Sequence, residues 1–243
     1  MNASLWTSLR DCAHEIGALV ESGRHQGFSG QRSTQYRLDI VADEVALRVL
    51  HGAGCRVVSE ESGVSGSGDY TVVVDPIDGS TNCDHGVPFF STSLAVLRDR
   101  ELVAALVMNH ATGTIYEAER GGGARRDDVP ISPSEQRELS LSIVGFSGLP
   151  ARHLGWAQYR ALGSASLEIC LVADGSLDAY TVASGSTLNP WDYLGGLLVA
   201  NEAGAVVADL DGAELVTDER VHRRPLFAAT AELFVTLREV GNL

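Results

Sequence analysis

The order in which strand and helix patterns follow one another constrains the fold of this chain more than any other feature. Apolar residues at helical spacing predict two early helices, 3–22 and 39–51. Short β-branched runs then predict five strands: 56–59, 70–74, 91–97, 102–108 and 114–119. Beyond residue 140, strands (141–146, 177–182, 205–209, 225–229) alternate with helices (164–173, 190–203, 230–240). This order predicts an α/β (α+β) protein with helices layered on two sheets.

Residues 124–138 divide the predicted elements into two groups. The segment is polar and contains Pro130 and Pro133, which is typical of a connection between structural units. We therefore predict an N-terminal α+β half over 1–135 and a C-terminal α/β half over 136–243. The Gly- and Ser-rich stretch 62–68 is predicted to be a flexible loop.

The charge balance excludes several classes of function. The chain has 18 basic residues, all of them Arg, against 32 acidic ones, which gives a net charge of −14. Without Lys there is neither Schiff-base chemistry nor a Walker-type phosphate loop. The missing basic face argues against nucleic-acid and membrane partners. We find no signal-peptide pattern and four widely spaced cysteines, so we expect a cytoplasmic protein with reduced thiols.

The strongest candidate for chemistry is the sequence DPIDGSTN at residues 75–82, directly after the apolar run YTVVV. Asp75 and Asp78 lie three residues apart, and Pro76 favours an extended conformation at Asp75. Carboxylates and the Ile77 carbonyl between them are oxygen ligands of the kind that Mg²⁺ prefers. Gly79 would let a phosphate approach the main chain if a helix begins at Ser80.

Two further acidic segments accompany this motif. Glu60 and Glu61 follow the predicted strand 56–59, and on their own they are typical of a solvated loop. NPWD at 189–192 is typical of a helix start, with Asn189 as N-cap and Asp192 near the positive helix end. Gly195 and Gly196 then indicate that another part of the chain approaches this helix closely.

Together the segments EES, DPIDGSTN and PWDYLGG followed by NEAGAVV resemble the inositol monophosphatase family. Its members are Mg²⁺-dependent, lithium-sensitive phosphatases of small sugar and cyclitol phosphates, and the similarity extends from about Asp39 to Ala229. The resemblance implies a layered αβαβα sandwich and a homodimer. The wider group includes fructose-1,6-bisphosphatases, adenosine 3′,5′-bisphosphate nucleotidases and histidinol-phosphate phosphatases, which remain alternative activities.

The resemblance also implies roles for individual residues. A first Mg²⁺ would be held by Glu60, Asp75 and the Ile77 carbonyl. A second would be held by Asp75, Asp78 and Asp192. The hydroxyl of Ser80 would orient the attacking water, with Asp43 as its proton acceptor. Phosphate and substrate contacts would come from the following residues: Asp78, Gly79, Ser80, Gly163, Ser164, Ala165 and Asp192.

Two departures from the family pattern bear on the substrate and on the number of metal ions. Residues 25–37 contain no Lys, which many members place near a third metal, and Arg32 or Arg37 is the candidate replacement. The segment 181–189 is lengthened and contains no acid, which predicts broad selectivity among small phosphates. The spacing of the aspartates argues against a haloacid-dehalogenase phosphatase. A catalytically silent binding or regulatory member of the family remains an alternative from another class.

Overall fold

The computed structural model describes residues 3–23, 27–30 and 35–240. Its helices are α1 (Ala3–Glu21), α2 (Arg37–Gly52), α3 (Ser80–His85), α4 (Ala165–Ala173), α5 (Pro190–Ala203) and α6 (Ala231–Val240). The first eight strands are β1 (Arg56–Ser59), β2 (Gly63–Ser65), β3 (Tyr70–Asp78), β4 (Ser91–Arg98), β5 (Glu101–Asn109), β6 (Ile115–Glu119), β7 (Gly123–Arg126) and β8 (Val129–Pro130). The last five are β9 (Ile143–Ser147), β10 (Gln158–Arg160), β11 (Ala179–Val182), β12 (Val206–Asp209) and β13 (Pro225–Ala228).

These strands form two sheets. The first has eight strands in the order β2-β1-β3-β4-β5-β6-β7-β8, and β1 and β3 are its one parallel pair among the described strands. The second has five strands in the order β10-β9-β11-β13-β12, with β9 parallel to both of its neighbours. Hairpins therefore build most of the first sheet, while helical crossovers connect strands of the second.

Apolar side chains alternate along the strands and so divide the core into layers. On β3, Val72 and Val74 pack against α1 and α2, whereas Val73 points to the opposite face and contacts the cluster around α4 and α5. That middle cluster also includes Tyr180 and Phe227 from the second sheet. The outer face of the second sheet packs on α6. The result is a five-layer αβαβα sandwich, which confirms the predicted fold class.

The two glycines near the start of α5 explain how the middle layer fits between the sheets. A Cβ at Gly195 would lie 2.5 Å from Ser93 Oγ on β4, and one at Gly196 would lie 2.7 Å from a side-chain atom of Ile169 on α4. Real Cβ atoms do not approach other atoms so closely. The two glycines therefore let α5 approach the first sheet and α4, as the sequence indicates.

The predicted strands and helices are confirmed, with differences at the ends. Strand β3 continues past Val74 to Asp78, so all four residues of DPID belong to the sheet and not to a turn. The predicted flexible loop 62–68 contains β2, which pairs with β1, and that prediction is wrong at residues 63–65. Short strands β7, β8 and β10 carry too few residues for a pattern to predict them. No helix in the described ranges is long and apolar enough to cross a membrane.

Candidate metal centre and active site

The carboxyl end of β3 positions the two aspartates of the DPID motif. Asp75 pairs with Ser93 of β4 and Asp78 with Ser91, and the register shifts between these two pairs. The irregularity falls at Pro76, which has no N–H to donate, while its carbonyl accepts a hydrogen bond of 2.8 Å from Thr92 Oγ1. Both aspartate side chains are buried as a result.

Three carboxylates converge beside this strand end. One carboxylate oxygen each from Glu60, Asp75 and Asp192 lie within 4.8 Å of one another. Glu60 follows β1, which runs parallel to β3, so the two strands deliver their acids to the same edge of the sheet. Asp192 comes from the first turn of α5 in the middle layer. The structure thus brings together three predicted ligands that are distant in sequence.

The electrostatics of this cluster indicate a missing positive charge. Burial raises the pKa of Glu60 to about 7, and the neighbouring Glu61 adds to the shift. Burial, and then repulsion from Glu60 and Asp78, raise the pKa of Asp75 and of Asp192 well above the ordinary range. In the described part of the chain, no Arg or His forms an ion pair with any of the three. A hard divalent cation fits such an all-oxygen donor set.

Asp192 is oriented by the helix that carries it. Its Oδ2 accepts a 2.7 Å hydrogen bond from the Asn189 N–H, and the Asn189 side chain accepts a hydrogen bond from the first turn in return. This reciprocal capping fixes the start of α5, with Pro190 at its first position. One Asp192 oxygen is therefore committed to the cap, and the carboxylate still reaches the acidic cluster.

Asp78 has different surroundings from the three clustered acids. Its Oδ2 accepts hydrogen bonds from Ser164 Oγ (2.8 Å), Ser166 N (2.7 Å) and Ser166 Oγ (2.5 Å), and its Oδ1 accepts one from Ala165 N (3.3 Å). All of these donors belong to the N-terminal end of α4. Asp78 therefore caps a helix of the second half of the chain from a strand of the first.

The turn that precedes α4 is held against the DPID segment. Gly79 and Gly163 both have positive φ (94° and 88°), and a Cβ on Gly79 would lie 2.9 Å from the Gly163 carbonyl oxygen. Asn82 on α3 donates from Nδ2 to the carbonyls of Phe89 and Leu162, each at 2.7 Å. The predicted substrate-side residues Gly163, Ser164 and Ala165 are thus brought next to Asp78 and Gly79.

A second buried acid of α2, Asp39, lies near Ser80. Ser80 Oγ donates to the Ile77 carbonyl at 3.0 Å. Burial raises the pKa of Asp39 to about 6, and the Tyr36 N–H and the Ser80 hydroxyl partly offset that shift. Asp39 Oδ2 accepts the Tyr36 N–H at 2.8 Å, while its buried Oδ1 has no hydrogen-bond partner among the described residues. Ser80 therefore lies near Asp39, although its hydroxyl donates to the Ile77 carbonyl.

No hydrogen bond joins Asp43 to Ser80 among the described residues, and the predicted role of Asp43 stays a prediction. One turn further along α2 than Asp39, its carboxylate accepts a short hydrogen bond from Ser59 Oγ. The same Ser59 oxygen accepts the Glu61 N–H at 3.2 Å. Through Ser59, Asp43 therefore helps to fix the segment that carries Glu60 and Glu61.

The segment before α2 covers one side of the site. Gln35 is buried and donates from Nε2 to the Glu61 carboxylate, and the Tyr36 ring stacks on Phe28 with centroids 4.8 Å apart. Of the two arginines expected to replace a Lys here, Arg37 is exposed at the start of α2. Arg32 lies outside the described residues.

Sequence reasoning missed three residues that shape the site. Asp39 and Asp43 lie four apart on one face of α2, and both are buried, so spacing alone does not tell which acid meets Ser80. Ser166 and Asn82 follow the GSA and DGST segments as ordinary polar residues. Their contacts cross from one half of the chain to the other, and no local pattern signals them.

Comparison with known proteins agrees with this geometry. The inositol monophosphatase family profile matches residues 9–239. A fructose-1,6-bisphosphatase/inositol-1-monophosphatase of Archaeoglobus fulgidus is 38% identical over 181 residues, covering 73% of this chain and 71% of that protein. A putative Nus factor SuhB of Neisseria meningitidis is 34% identical, covering 65% of this chain and 66% of that one.

A solved structure supports the same assignment. The Pyrococcus horikoshii protein, described as similar to inositol-1 monophosphatase, superposes with a TM-score of 0.83 at 28% identity, covering 98% of this chain and 96% of that one. The match therefore spans both sheets and all the layers between and around them. The chain belongs to the inositol monophosphatase family, and it is an enzyme of the phosphoric monoester hydrolase class.

Proposed function

We propose that the protein hydrolyses a small phosphate monoester, an inositol monophosphate or a related cyclitol or sugar phosphate, in a Mg²⁺-dependent reaction. The observation that carries the proposal is the cluster of Glu60, Asp75 and Asp192, three converging carboxylates of which none forms an ion pair with an Arg or His of the described chain. A dianionic ester cannot approach such a cluster unless bound cations reverse the local charge.

Glu60, Asp75 and Asp192 would hold one Mg²⁺, and Asp78 and the Ile77 carbonyl are the further oxygen donors proposed for a pair of ions. Bound there, Mg²⁺ would polarise the phosphoryl group and lower the pKa of a coordinated water. Asp78 already accepts hydrogen bonds from α4 through both oxygens, so its part in holding an ion would be shared with that helix.

The residues of the chain supply the proton chemistry and the positioning. Ser80 lies between Ile77 and Asp39, where its hydroxyl can orient a water and Asp39 can accept a proton from it. We propose Asp39 for the role that the sequence assigned to Asp43. The main-chain amides of Gly79 and Ser80, at the start of α3, are proposed to bind the phosphate.

We propose broad selectivity towards esters whose remainder is uncharged. The loop after β11 contributes hydroxyl and amide groups but no acid, so it cannot strengthen contacts to sugar hydroxyls through charge. Inositol 1-phosphate and glycerol 2-phosphate should then be hydrolysed with kcat/KM values within about tenfold, or 1.4 kcal/mol. A preference of more than about a thousandfold for one of them would contradict this.

The direct test is phosphate release from a panel of esters with and without Mg²⁺. Inositol 1-phosphate, fructose 1,6-bisphosphate, adenosine 3′,5′-bisphosphate and histidinol phosphate cover the alternatives in the family. We expect release from at least one ester, lost after chelation and restored by Mg²⁺. If the folded protein releases phosphate from none of them with Mg²⁺ present, the proposal fails and the silent-subunit alternative gains support.

Lithium sensitivity is a further proposal, carried over from the family resemblance. Li⁺ is a hard cation that prefers the same carboxylate oxygens as Mg²⁺, so it should compete with Mg²⁺ for the proposed metal centre. Hydrolysis of inositol 1-phosphate should fall as LiCl is raised at constant ionic strength with NaCl. Equal rates in LiCl and NaCl at every Mg²⁺ concentration would contradict the proposal.

Assembly and location are proposed on the same resemblance. We propose a homodimer that acts in the cytoplasm without nucleic-acid or membrane partners, which the net charge of −14 supports. The mass in solution, measured by light scattering on a sizing column, tests the assembly. The subunit mass is 25.8 kDa, and a particle of that mass at micromolar concentration would contradict a dimer.

A further inference from the structure

The segment between β12 and β13, residues 210–224, extends from the second sheet to the edge of the metal centre. Arg56 on β1 donates from Nη1 to Asp218 at 2.6 Å, which ties this segment to the first sheet. Near its end, Arg223 pairs with Leu188 through two main-chain hydrogen bonds of 2.9 Å. The segment is therefore held at two points, and Arg220 lies between them.

Arg220 contacts both segments that carry clustered acids. Its Nη2 donates to the Glu60 carbonyl at 2.8 Å, and its guanidinium carbon lies 4.8 Å from the centroid of the Trp191 ring. Trp191 directly precedes Asp192. One exposed guanidinium thus touches the main chain of one ligand residue and the ring beside another.

Most of the N–H donors of Arg220 have no partner among the described residues of the protein. A guanidinium carries five N–H donors, and within the described ranges only the Glu60 carbonyl accepts one of them. No described carboxylate pairs with Arg220 either, although the adjoining centre contains Glu60, Asp75, Asp78 and Asp192. The remaining donors face solvent at the rim of the centre.

Local charge indicates what these donors can bind. Bound cations would neutralise the ester that reacts, but a second anionic group on the substrate would still face a rim rich in carboxylates. Arg220 offers that group a fixed cation with a planar fork suited to phosphate.

We propose that Arg220 is a specificity-determining residue that binds a second phosphate of the substrate, so that the site favours bisphosphates over the matching monophosphates. The inference rests on the proposed phosphatase function and names the class of substrate for the same site. The broad selectivity proposed above concerns esters without a second charge, for which Arg220 would make little difference.

The test compares fructose 1,6-bisphosphate with fructose 1-phosphate, which differ only in the second phosphate. For the unmodified enzyme with Mg²⁺ we expect kcat/KM to be at least about tenfold higher for the bisphosphate, through KM. Arg220→Gln should bring the two values within about threefold and leave fructose 1-phosphate nearly unaffected; Arg220→Lys should fall between. Arg238→Gln on α6 removes the same charge from the outer layer and should change neither value.

The other outcomes overturn the inference in distinguishable ways. If Arg220→Gln lowers kcat/KM equally for both esters, Arg220 only holds Glu60 and Trp191 in place. An unchanged ratio, or no preference in the unmodified enzyme, would exclude a second phosphate contact. If one of the two fructose esters binds but is not hydrolysed, its inhibition constant Ki against inositol 1-phosphate hydrolysis replaces KM in the comparison. Failure to hydrolyse any ester with Mg²⁺ would overturn the proposed function instead.

Discussion

Asp78 and the Glu60–Asp75–Asp192 cluster lie at the same end of β3, yet their surroundings differ. Hydrogen-bond donors surround Asp78, whereas other carboxylates surround the clustered acids. Asp78 receives four hydrogen bonds from the start of α4. The clustered acids mainly face one another, and burial with mutual repulsion raises the pKa of each. Only Pro76 and Ile77 separate Asp75 from Asp78 in the sequence.

The difference shows that a buried carboxylate can either stabilise the folded chain or be kept for binding a cation. Burial raises the pKa of Asp78 as well, but the hydrogen bonds from Ser164, Ala165 and Ser166 offset part of that shift and favour its charged form. A carboxylate supplied only with other carboxylates costs folding free energy until a cation arrives. We therefore expect the two groups to respond with opposite sign to the loss of a charge.

Replacing Asp192 should have the largest effect on activity. Asp192→Asn keeps an oxygen that can accept the Asn189 N–H, so the cap of α5 survives while the charge is lost. We expect kcat to fall by about a thousandfold or more, because a ligand of the centre is gone. The metal-free variant should unfold at the same or a higher urea concentration than the unmodified protein.

The matched control is Glu44→Gln, which removes one exposed acid from α2 outside the cluster. It should leave kcat and the urea midpoint unchanged. A metal-free Asp192→Asn protein that is clearly less stable would show that the cluster is already satisfied without a cation.

Asp78→Asn should combine a large loss of activity with a loss of stability. Ser166 N and Ala165 N bond to different oxygens of Asp78, so one of these N–H groups would face the amide nitrogen of an Asn. We expect kcat below a tenth of its starting value and unfolding free energy lower by about 1–3 kcal/mol in urea titrations. An Asp78→Asn protein as stable as the unmodified one would remove the contrast with Asp192.

Replacing Ser80 should lower kcat less than replacing Asp192 does. Ser80→Ala should lower kcat by roughly 10²-fold with little change in Mg²⁺ affinity, while Ser80→Thr keeps the hydroxyl and should be nearly neutral. Asp39→Asn should resemble Ser80→Ala. Asp43→Asn should cost less than tenfold, because it acts through Ser59. If Asp43→Asn is the more damaging of the two, the reassignment to Asp39 is wrong.

Glu168 should give the smallest effect, seen in stability and not in chemistry. It is fully buried on α4, with Oε1 unpartnered among described residues and Oε2 accepting the Gly163 N–H at 3.3 Å. Burial raises its pKa to about 8. Because the folded state holds this proton more tightly, the stability that it contributes at low pH should be lost between about pH 4.5 and 8.

The measurement for Glu168 is the unfolding free energy as a function of pH in saturating Mg²⁺. Glu168→Gln cannot titrate, so its curve should fall less steeply over that range than the curve of the unmodified protein. Parallel curves would mean that Glu168 stays ionised over this pH range.

The layers could be predicted from local patterns, whereas the set of clustered acids was predicted from the resemblance to the inositol monophosphatase family. Strand alternation on β3 and the cap at Asn189 each specify where a side chain points before any long-range contact forms. The bonds of Asp78 to Ser164 and Ser166 join residues more than 80 positions apart, and no periodicity encodes them. The same holds for Arg220 and Glu60. The predicted division at residue 135 stays a prediction.

The central claim, that the Glu60–Asp75–Asp192 cluster is a cation site, is tested most directly by titrating Mg²⁺ into metal-free protein in a calorimeter at pH 8. The unmodified protein should bind with saturable heat and gain thermal stability as Mg²⁺ is added. Asp75→Asn, folded by circular dichroism, should lose both responses, since Asp75 stands at the centre of the cluster. Equal Mg²⁺ binding by the two proteins would contradict the account.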